Sequence, residues 1–347
     1  MGFTFFSTEQ KIRINLSETA TLIMSEDMFQ FKLTSRSTLF NVVFKNFCEE
    51  AESSVCSYLQ RKIQELLSES NDTIPEIAEK DLIRIIYSTE KKRLINKIEF
   101  QKKNKHSSRI YRISNENLAF LTGDECEESD IYDDNIGLYL KCILEEYCSL
   151  PYLERERIVY KDRYELVNQA IENHCILKIR ASDRKWYHVY PYSLESDSMS
   201  TRMYLVGLSK SLSNEASYKT PASFRIPGIS EMKMLKKSGR LTKEELATVQ
   251  NALTARKVQF LLDNEELIRI RLSDTGLKYY NSQLFLRPAY DVDLSSGNEY
   301  VFNCTQRQAE YYFFKFGKEA EVLSPPELRE RFAEMYASAA EMYRDRF

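Results

Sequence analysis

Cationic and aromatic side chains alternate along short segments between residues 178 and 225. Proteins bind single-stranded nucleic acid with cations, which contact the phosphates, and with flat rings, on which unpaired bases stack. Side chains on adjacent strands of a small sheet approach within about 5 Å, so these segments can contribute to one surface. We therefore predict a nucleic-acid site formed by Lys178, Arg180, Arg184, Lys185, Trp186, Tyr187, His188, Tyr204 and Arg225.

Several of these side chains also have a purely structural interpretation. Trp186 is the only tryptophan, and such a residue is commonly a core anchor. Tyr204 lies in an apolar run, which predicts a side chain that is half packed and half in a cleft. A lone histidine such as His188 is simplest to interpret as structural. Arg225 follows Phe224, so Arg225 faces a cleft or solvent if Phe224 is buried.

Motifs of catalysis and metal binding do not accompany these residues. The sequence lacks GxSxG, HExxH and a glycine-rich phosphate loop. Its seven cysteines and three histidines include no pair at zinc-finger spacing. A nuclease would need an acid–base pair, for which His188 with Lys178 or Arg180 is the one candidate. We expect a protein that is not an enzyme and that uses no cofactor or metal.

The composition sets the scale of the protein. A chain of 347 residues is too long for one small core and predicts two to four domains. The net charge of −3 provides no overall positive field, so a nucleic-acid site must be a local patch. An odd cysteine count, the absence of a long apolar run and a start without a signal peptide lead us to expect a cytoplasmic protein.

Several short strands are needed to position the candidate residues. Apolar or alternating runs occur at 176–181, 186–194, 203–208 and 222–229, separated by turn and loop sequences. This order is typical of a small β-barrel or a strongly bent sheet.

The same segments resemble the WYL-domain family, whose pattern is a VxP segment, an aromatic-Tyr-Leu strand and an FR segment ending in Ile. Here these read HVYPYSL (188–194), MYLVGL (203–208) and FRIPGI (224–229). The resemblance implies an Sm-like small β-barrel. It also implies a cleft of basic and aromatic residues, which takes nucleic acid in several members.

The sequence departs from the family pattern at three places. Met203 replaces the first aromatic residue of the triad, and Tyr187 stands where an arginine is common. Pro227 and Gly228 occupy the place of a common acidic-basic pair. Of the two arginines usual in the family, this sequence therefore keeps only Arg225. The resemblance therefore implies an altered cleft.

The C-terminal part resembles the extension that follows WYL domains. Its most specific piece is FGKEAEVLSPPELRERF (316–332). It predicts a helix that ends at Gly317, a short strand and a second helix from Pro326 or Glu327. The small and large apolar residues of MYASAAEMY (335–343) suggest a dimer interface along that last helix.

The N-terminal part begins with a strand and two helices. In KIRINL (11–16) apolar and polar residues alternate, which predicts a strand with one buried face. Ser17 and Ser35 are predicted to cap the two helices. The lone strand needs a partner for its edge, which another copy of the chain would supply.

This arrangement resembles the ribbon-helix-helix family, whose members pair such strands into a ribbon. In its DNA-binding members the outward polar residues of the ribbon read the major groove. Lys11, Arg13 and Asn15 match those positions. Two alternatives stay open: these side chains only solvate the strand, or the module serves only for dimerisation.

Residues 108–147 contain a second, degenerate copy of the pattern. The run RIYRI (109–113) predicts a strand, and SNEN (114–117) predicts a helix cap. A later helix carries apolar residues at the same internal spacing as the second helix of the first copy. The two halves can then pair strand to strand as a pseudo-dimer, although apolar residues at helical spacing are common.

The combination of the two modules resembles the WYL accessory proteins of type VI-D CRISPR systems. This resemblance implies that the protein binds single-stranded RNA, forms a homodimer and stimulates an RNA-guided RNA-cleaving effector. One alternative is a ribbon-helix-helix transcriptional repressor that binds duplex DNA and senses nucleic acid through its WYL domain. Another is a pure interaction module that acts on the effector without RNA.

We therefore predict an α+β multidomain fold with four parts. They are a ribbon-helix-helix unit (1–56), a helical spacer with the second half (57–150), an Sm-like WYL β-barrel (151–235) and an α/β extension for dimerisation (236–347).

Overall fold

A computed structural model describes residues 2–7, 9–69, 76–102, 106–197, 202–213, 218–261 and 265–344. The chain is a mixed α and β protein with two compact units, Met1–Tyr164 and Glu165–Phe347. The finer division into four parts remains a prediction. Within the described ranges, no helix combines the length and apolar character needed to cross a membrane.

The first unit is mainly helical. Its elements are β1 (Lys11–Ser17), α1 (Glu18–Gln30), α2 (Arg36–Phe47), α3 (Val55–Glu69), α4 (Glu76–Lys102), β2 (His106–Arg112), α5 (Asn115–Thr122), α6 (Ile136–Ser149) and α7 (Tyr152–Val159). Helix α8 (Lys161–Glu172) leads into the second unit.

Strands β1 and β2 pair with each other in an antiparallel ribbon, from Lys11 opposite Arg112 to Ser17 opposite His106. Strand β2 of the same chain therefore pairs with the edge of β1, and this pairing requires no second copy of the chain. The expected caps are present: the Ser17 hydroxyl accepts from the Ala20 amide at 3.1 Å. The Ser35 hydroxyl accepts likewise from the Thr38 amide at 3.1 Å.

Matching apolar faces of α2 and α6 fill the core of the first unit. The residues buried there are Phe40, Val43, Phe44 and Phe47 on α2, and Leu140, Ile143, Leu144 and Tyr147 on α6. Next to this core, Asp27 is almost fully buried and accepts from Tyr147 at 2.7 Å and from Arg155 at 2.8 Å. The buried Asp27 carboxylate thus has hydrogen-bond donors and a positively charged partner, so its burial is compatible with a stable fold.

The described residues of the second unit form two sheets. Its elements are β3 (Cys175–Arg180), β4 (Trp186–Ser196), β5 (Met203–Ser211), β6 (Thr220–Arg225), β7 (Glu231–Ser238), α9 (Lys243–Arg256), β8 (Glu265–Leu272), α10 (Asp274–Ser282), β9 (Tyr290–Ser296), β10 (Glu299–Thr305), α11 (Gln306–Phe313), β11 (Ala320–Ser324) and α12 (Pro326–Arg344).

The first sheet is antiparallel, with the strand order β6-β5-β4-β3-β7. The rings of Tyr187 on β4 and Phe224 on β6 are 5.2 Å apart, although β5 lies between these strands. Strands two places apart in a flat sheet are about 10 Å apart, so this sheet curls strongly. Among the described residues β6 and β7 form its two edges, and a closed barrel remains an interpretation.

The second sheet has the order β11-β8-β10-β9 and packs against the C-terminal helices. Its core includes Ile270, Phe302, Phe313 and Leu328. The predicted strand is β11, and α12 begins at Pro326, as expected. The preceding helix α11 ends at Phe313, earlier than predicted. A 3₁₀ turn (Phe314–Glu319) follows it and contains Gly317, which has a positive φ of 57°.

Candidate nucleic-acid interface

Tyr204 and Arg225 lie directly opposite each other on β5 and β6, so their side chains share one face of the sheet. Both side chains are half-buried. They line a cavity of about 320 Å³ at one end of the curled sheet. Its lining residues are Ala181, Ser182, Asp183, Tyr187, Arg202, Tyr204, Ser223, Phe224, Arg225, Gly228, Ile229, Gln259 and Arg307.

Three arginines give this cavity a positive electrostatic environment. Burial raises the pKa of Tyr204 above its ordinary value, and the nearby Asp197 raises it further. The positive charges of Arg202, Arg225 and Arg307 act on the same hydroxyl in the opposite direction. An anionic ligand near Tyr204 would therefore meet guanidinium groups from three separate parts of the second unit.

Two further polar groups shape the cavity. The Tyr187 hydroxyl donates to Asp183 at 2.7 Å. Burial and this hydrogen bond raise the pKa of Tyr187 to about 12, so its hydroxyl stays protonated and uncharged. The buried Nε2 atom of Gln259 has no hydrogen-bond partner among the described residues. An unsatisfied buried donor of this kind is costly, and a ligand oxygen would satisfy it.

The other predicted residues of β3 and β4 lie on the opposite side of the sheet from Tyr187. Trp186 and His188 flank Tyr187 in a strand, and consecutive strand residues face opposite sides. Trp186 lies opposite Arg180, and His188 lies opposite Lys178. The Lys178 ammonium is 4.8 Å from the centre of the Trp186 ring, a cation–π distance.

Three predicted residues at this end have little contact with the cavity. Arg180 forms an ion pair with Glu231 at 2.9 Å. Arg184 and Lys185 are exposed in the turn before β4, where Arg184 has a positive φ of 64°. The single site predicted from the sequence is therefore divided: Tyr187, Tyr204 and Arg225 line the cavity, and the rest lie outside it.

Sequence reasoning missed Gln259 and Arg307, and it left Arg202, which flanks Tyr204, out of the predicted site. Arg202 stands two residues before Tyr204, and this spacing was a usable signal that both face one side. Gln259 follows α9 and Arg307 lies on α11, and they reach the cavity only through tertiary packing.

The ribbon residues Lys11, Arg13 and Asn15 are all exposed on the outer face of β1. Lys11 lies opposite Arg112, but it also forms an ion pair with Glu9 at 2.6 Å. Arg13 lies opposite Ile110, which is 58% exposed. The outer face of the ribbon is thus mixed rather than uniformly basic.

Two comparisons with known proteins agree with this fold. Residues 305–340 match the family model of the WCX domain. The second match is a solved structure described as "Crystal structure of a CRISPR Cas-related protein". It superimposes with a TM-score of 0.72 at 20% identity, over 98% of this chain and 95% of that chain. This chain therefore has a segment similar to the WCX domain and a fold similar to that of a CRISPR Cas-related protein.

The predicted WYL-associated C-terminal extension is confirmed for the matched residues, and the shared fold extends over nearly the whole chain. The ribbon-helix-helix and type VI-D resemblances stay predictions. A further similar structure is the proteasome accessory factor B/C (PafBC) of Arthrobacter aurescens, with a TM-score of 0.32 and 15% identity. That match covers 68% of this chain and 37% of the other. The curated proteins contain no match.

Proposed function

We propose that this protein is a non-enzymatic accessory factor that binds single-stranded RNA and thereby stimulates an RNA-guided, RNA-cleaving CRISPR effector. The observation that carries the proposal is the cavity in which Tyr204 lies opposite Arg225, with Arg202 and Arg307 beside them. Guanidinium groups bind phosphate with paired, charge-assisted hydrogen bonds, and tyrosine rings stack on bases.

The size of the cavity favours an unpaired strand. A volume of about 320 Å³ is at the lower end of the range for small-molecule sites, and is suited to one nucleotide rather than a base pair. The preference for RNA and the role beside an effector come from the resemblance. An association with a CRISPR system is supported by the similar fold of a protein described as CRISPR Cas-related.

The direct test compares single-stranded RNA, single-stranded DNA and duplex DNA at one salt concentration, by fluorescence anisotropy. The Arg202→Gln/Arg225→Gln variant should lose RNA affinity. A control variant, Lys243→Gln/Lys318→Gln, removes two charges from exposed positions away from the cavity and should bind as the parent does. Equal RNA binding by both variants would overturn the proposal.

A second measurement addresses the effector. Reconstituted RNA cleavage should be stimulated by the parent protein and not by the Arg202→Gln/Arg225→Gln variant. If stimulation survives while RNA binding is lost, the protein acts on the effector through protein contacts alone.

A second candidate function is duplex DNA binding through the ribbon. It is favoured by the exposure of Lys11, Arg13 and Asn15 on a two-stranded ribbon, an element that fits the major groove. It predicts that Lys11→Gln/Arg13→Gln abolishes duplex binding and leaves RNA binding unchanged. Loss of function in this variant alone would favour the repressor interpretation.

A further inference from the structure

Four basic residues form a row across one face of the curled sheet. Lys233 on β7 lies opposite Lys178 on β3, Lys178 lies opposite His188 on β4, and His188 lies opposite Lys210 on β5. Directly opposite residues share a face, so all four side chains project on the same side. We call this set the lysine row. Adjacent strands are about 4.8 Å apart, so the row spans roughly 14 Å.

The row is electrostatically unfavourable without a counter-charge. Lys178 and Lys233 lie directly opposite each other, and such a pair of like charges destabilises a sheet. Among the residues that the structure describes, no carboxylate forms an ion pair with Lys178, Lys210 or Lys233, and the neighbouring Glu231 is paired with Arg180 at 2.9 Å. The pKa of His188 is lowered by burial and by the positive charges of Lys178, Lys237 and Lys210. Such an arrangement favours the binding of an extended polyanion.

The strand β3 runs from the lysine row towards the cavity. Two residues beyond Lys178, Arg180 lies opposite Trp186 on the same face. The residues that directly follow Arg180, from Ala181 to Asp183, line the cavity. Trp186, which is half-exposed, therefore lies one register step from the lysine row, at the strand end that leads to the cavity-lining turn.

We propose that the lysine row is a second RNA contact, which binds the phosphates of the strand whose one nucleotide occupies the cavity. This inference rests on the proposed function. Trp186 stacks on a base between the two sites, and the row neutralises about three successive phosphates. An acidic protein surface would also satisfy the lysines, but it would not stack on the half-exposed indole ring.

The test uses the triple variant Lys178→Gln/Lys210→Gln/Lys233→Gln. Its matched control is Lys243→Gln/Lys278→Gln/Lys318→Gln, which removes three exposed lysines from elsewhere in the second unit. The probes are a single-stranded oligouridylate of roughly eight nucleotides and uridine 5′-monophosphate. For single strands, log K changes with log salt by about 0.7 per neutralised phosphate, so the slope of the row variant should fall by about 2. Its affinity for the mononucleotide should equal that of the parent.

Trp186 supplies an independent readout because it is the only tryptophan in the chain. The oligonucleotide should quench its fluorescence, and the mononucleotide should not. An unchanged salt slope with normal mononucleotide binding would overturn the row alone and leave the proposed function standing. If neither probe binds the parent protein, the proposed function itself has failed. RNA binding that is unaltered while effector stimulation is lost would assign the row to a protein contact instead.

Discussion

Replacement of Arg307 by glutamine gives a sharp test of the cavity. Arg307 lies on α11, within the segment that matches the WCX domain, yet it lines a cavity formed mainly by the first sheet of the second unit. Its side chain is exposed, so its removal should leave the packing of α11 intact. We expect the Arg307→Gln variant to fold normally and to bind single-stranded RNA more weakly.

The size of the effect follows from one lost phosphate contact. A hydrogen bond to a charged group contributes roughly 1.5–3 kcal/mol, and the exposure of Arg307 favours the lower end. At about 1.4 kcal/mol per tenfold change, the RNA dissociation constant should rise about tenfold. The salt slope should fall by about 0.7. The difference between parent and variant should therefore shrink about 2.6-fold between roughly 50 and 200 mM salt.

Anisotropy titrations at several salt concentrations measure both quantities. The matched control is Arg331→Gln on α12, an exposed arginine that forms an ion pair with Glu310 at 3.0 Å and is not part of the cavity. The reasoning is refuted if Arg307→Gln and Arg331→Gln have the same affinity and salt slope. An affinity loss without a change in slope would also contradict it, because it would show that no phosphate contact was removed.

Three other predictions concern packing, pH and helix capping. Gly207→Ala should lower the free energy of unfolding, measured by urea titration, by about 3 kcal/mol or more, because its Cβ would lie 2.1 Å from a backbone oxygen of β4. The control Gly137→Ala, which has room for a Cβ, should be tolerated in the same titration. Because RNA phosphates favour the charged imidazole, RNA affinity should rise as pH falls from about 7 to about 5, and His188→Gln should flatten that profile. The same lowered pKa of His188 means that the unfolded chain binds the proton more readily, so stability without RNA should fall over this range. Glu128→Ala should lower the free energy of unfolding by about 2–3 kcal/mol, because the buried Glu128 carboxylate accepts three hydrogen bonds at the start of α3. In the same urea titration, Glu125→Ala should have little effect, because Glu125 is exposed.

The elements with strong local patterns were predictable from the sequence. Alternation in KIRINL defined β1 and its buried face, and a serine before each of the two following helices gave the caps. The equal apolar spacing on α2 and α6 predicted a second copy of the helical half, and both apolar faces are buried. These features depend on neighbours within a few residues, which is the range over which a sequence pattern is informative.

The candidate site was less predictable because it depends on faces and on distant contacts. Trp186, Tyr187 and His188 were grouped together, although strand alternation already places Tyr187 on the other side. Arg307 lies on another element and enters the cavity only through tertiary packing. Strand register, which pairs Lys178 with both Lys233 and His188, likewise cannot be derived from the sequence of one strand.

The pairing of β1 with β2 inside one chain removes a constraint that two identical strands would carry. Two copies related by a twofold axis present the same side chains twice and so match palindromic targets. Here one strand offers Arg13 where the other offers Ile110. Because different segments of one gene encode β1 and β2, each strand can mutate independently. A partner of this ribbon therefore need not have inverted-repeat symmetry.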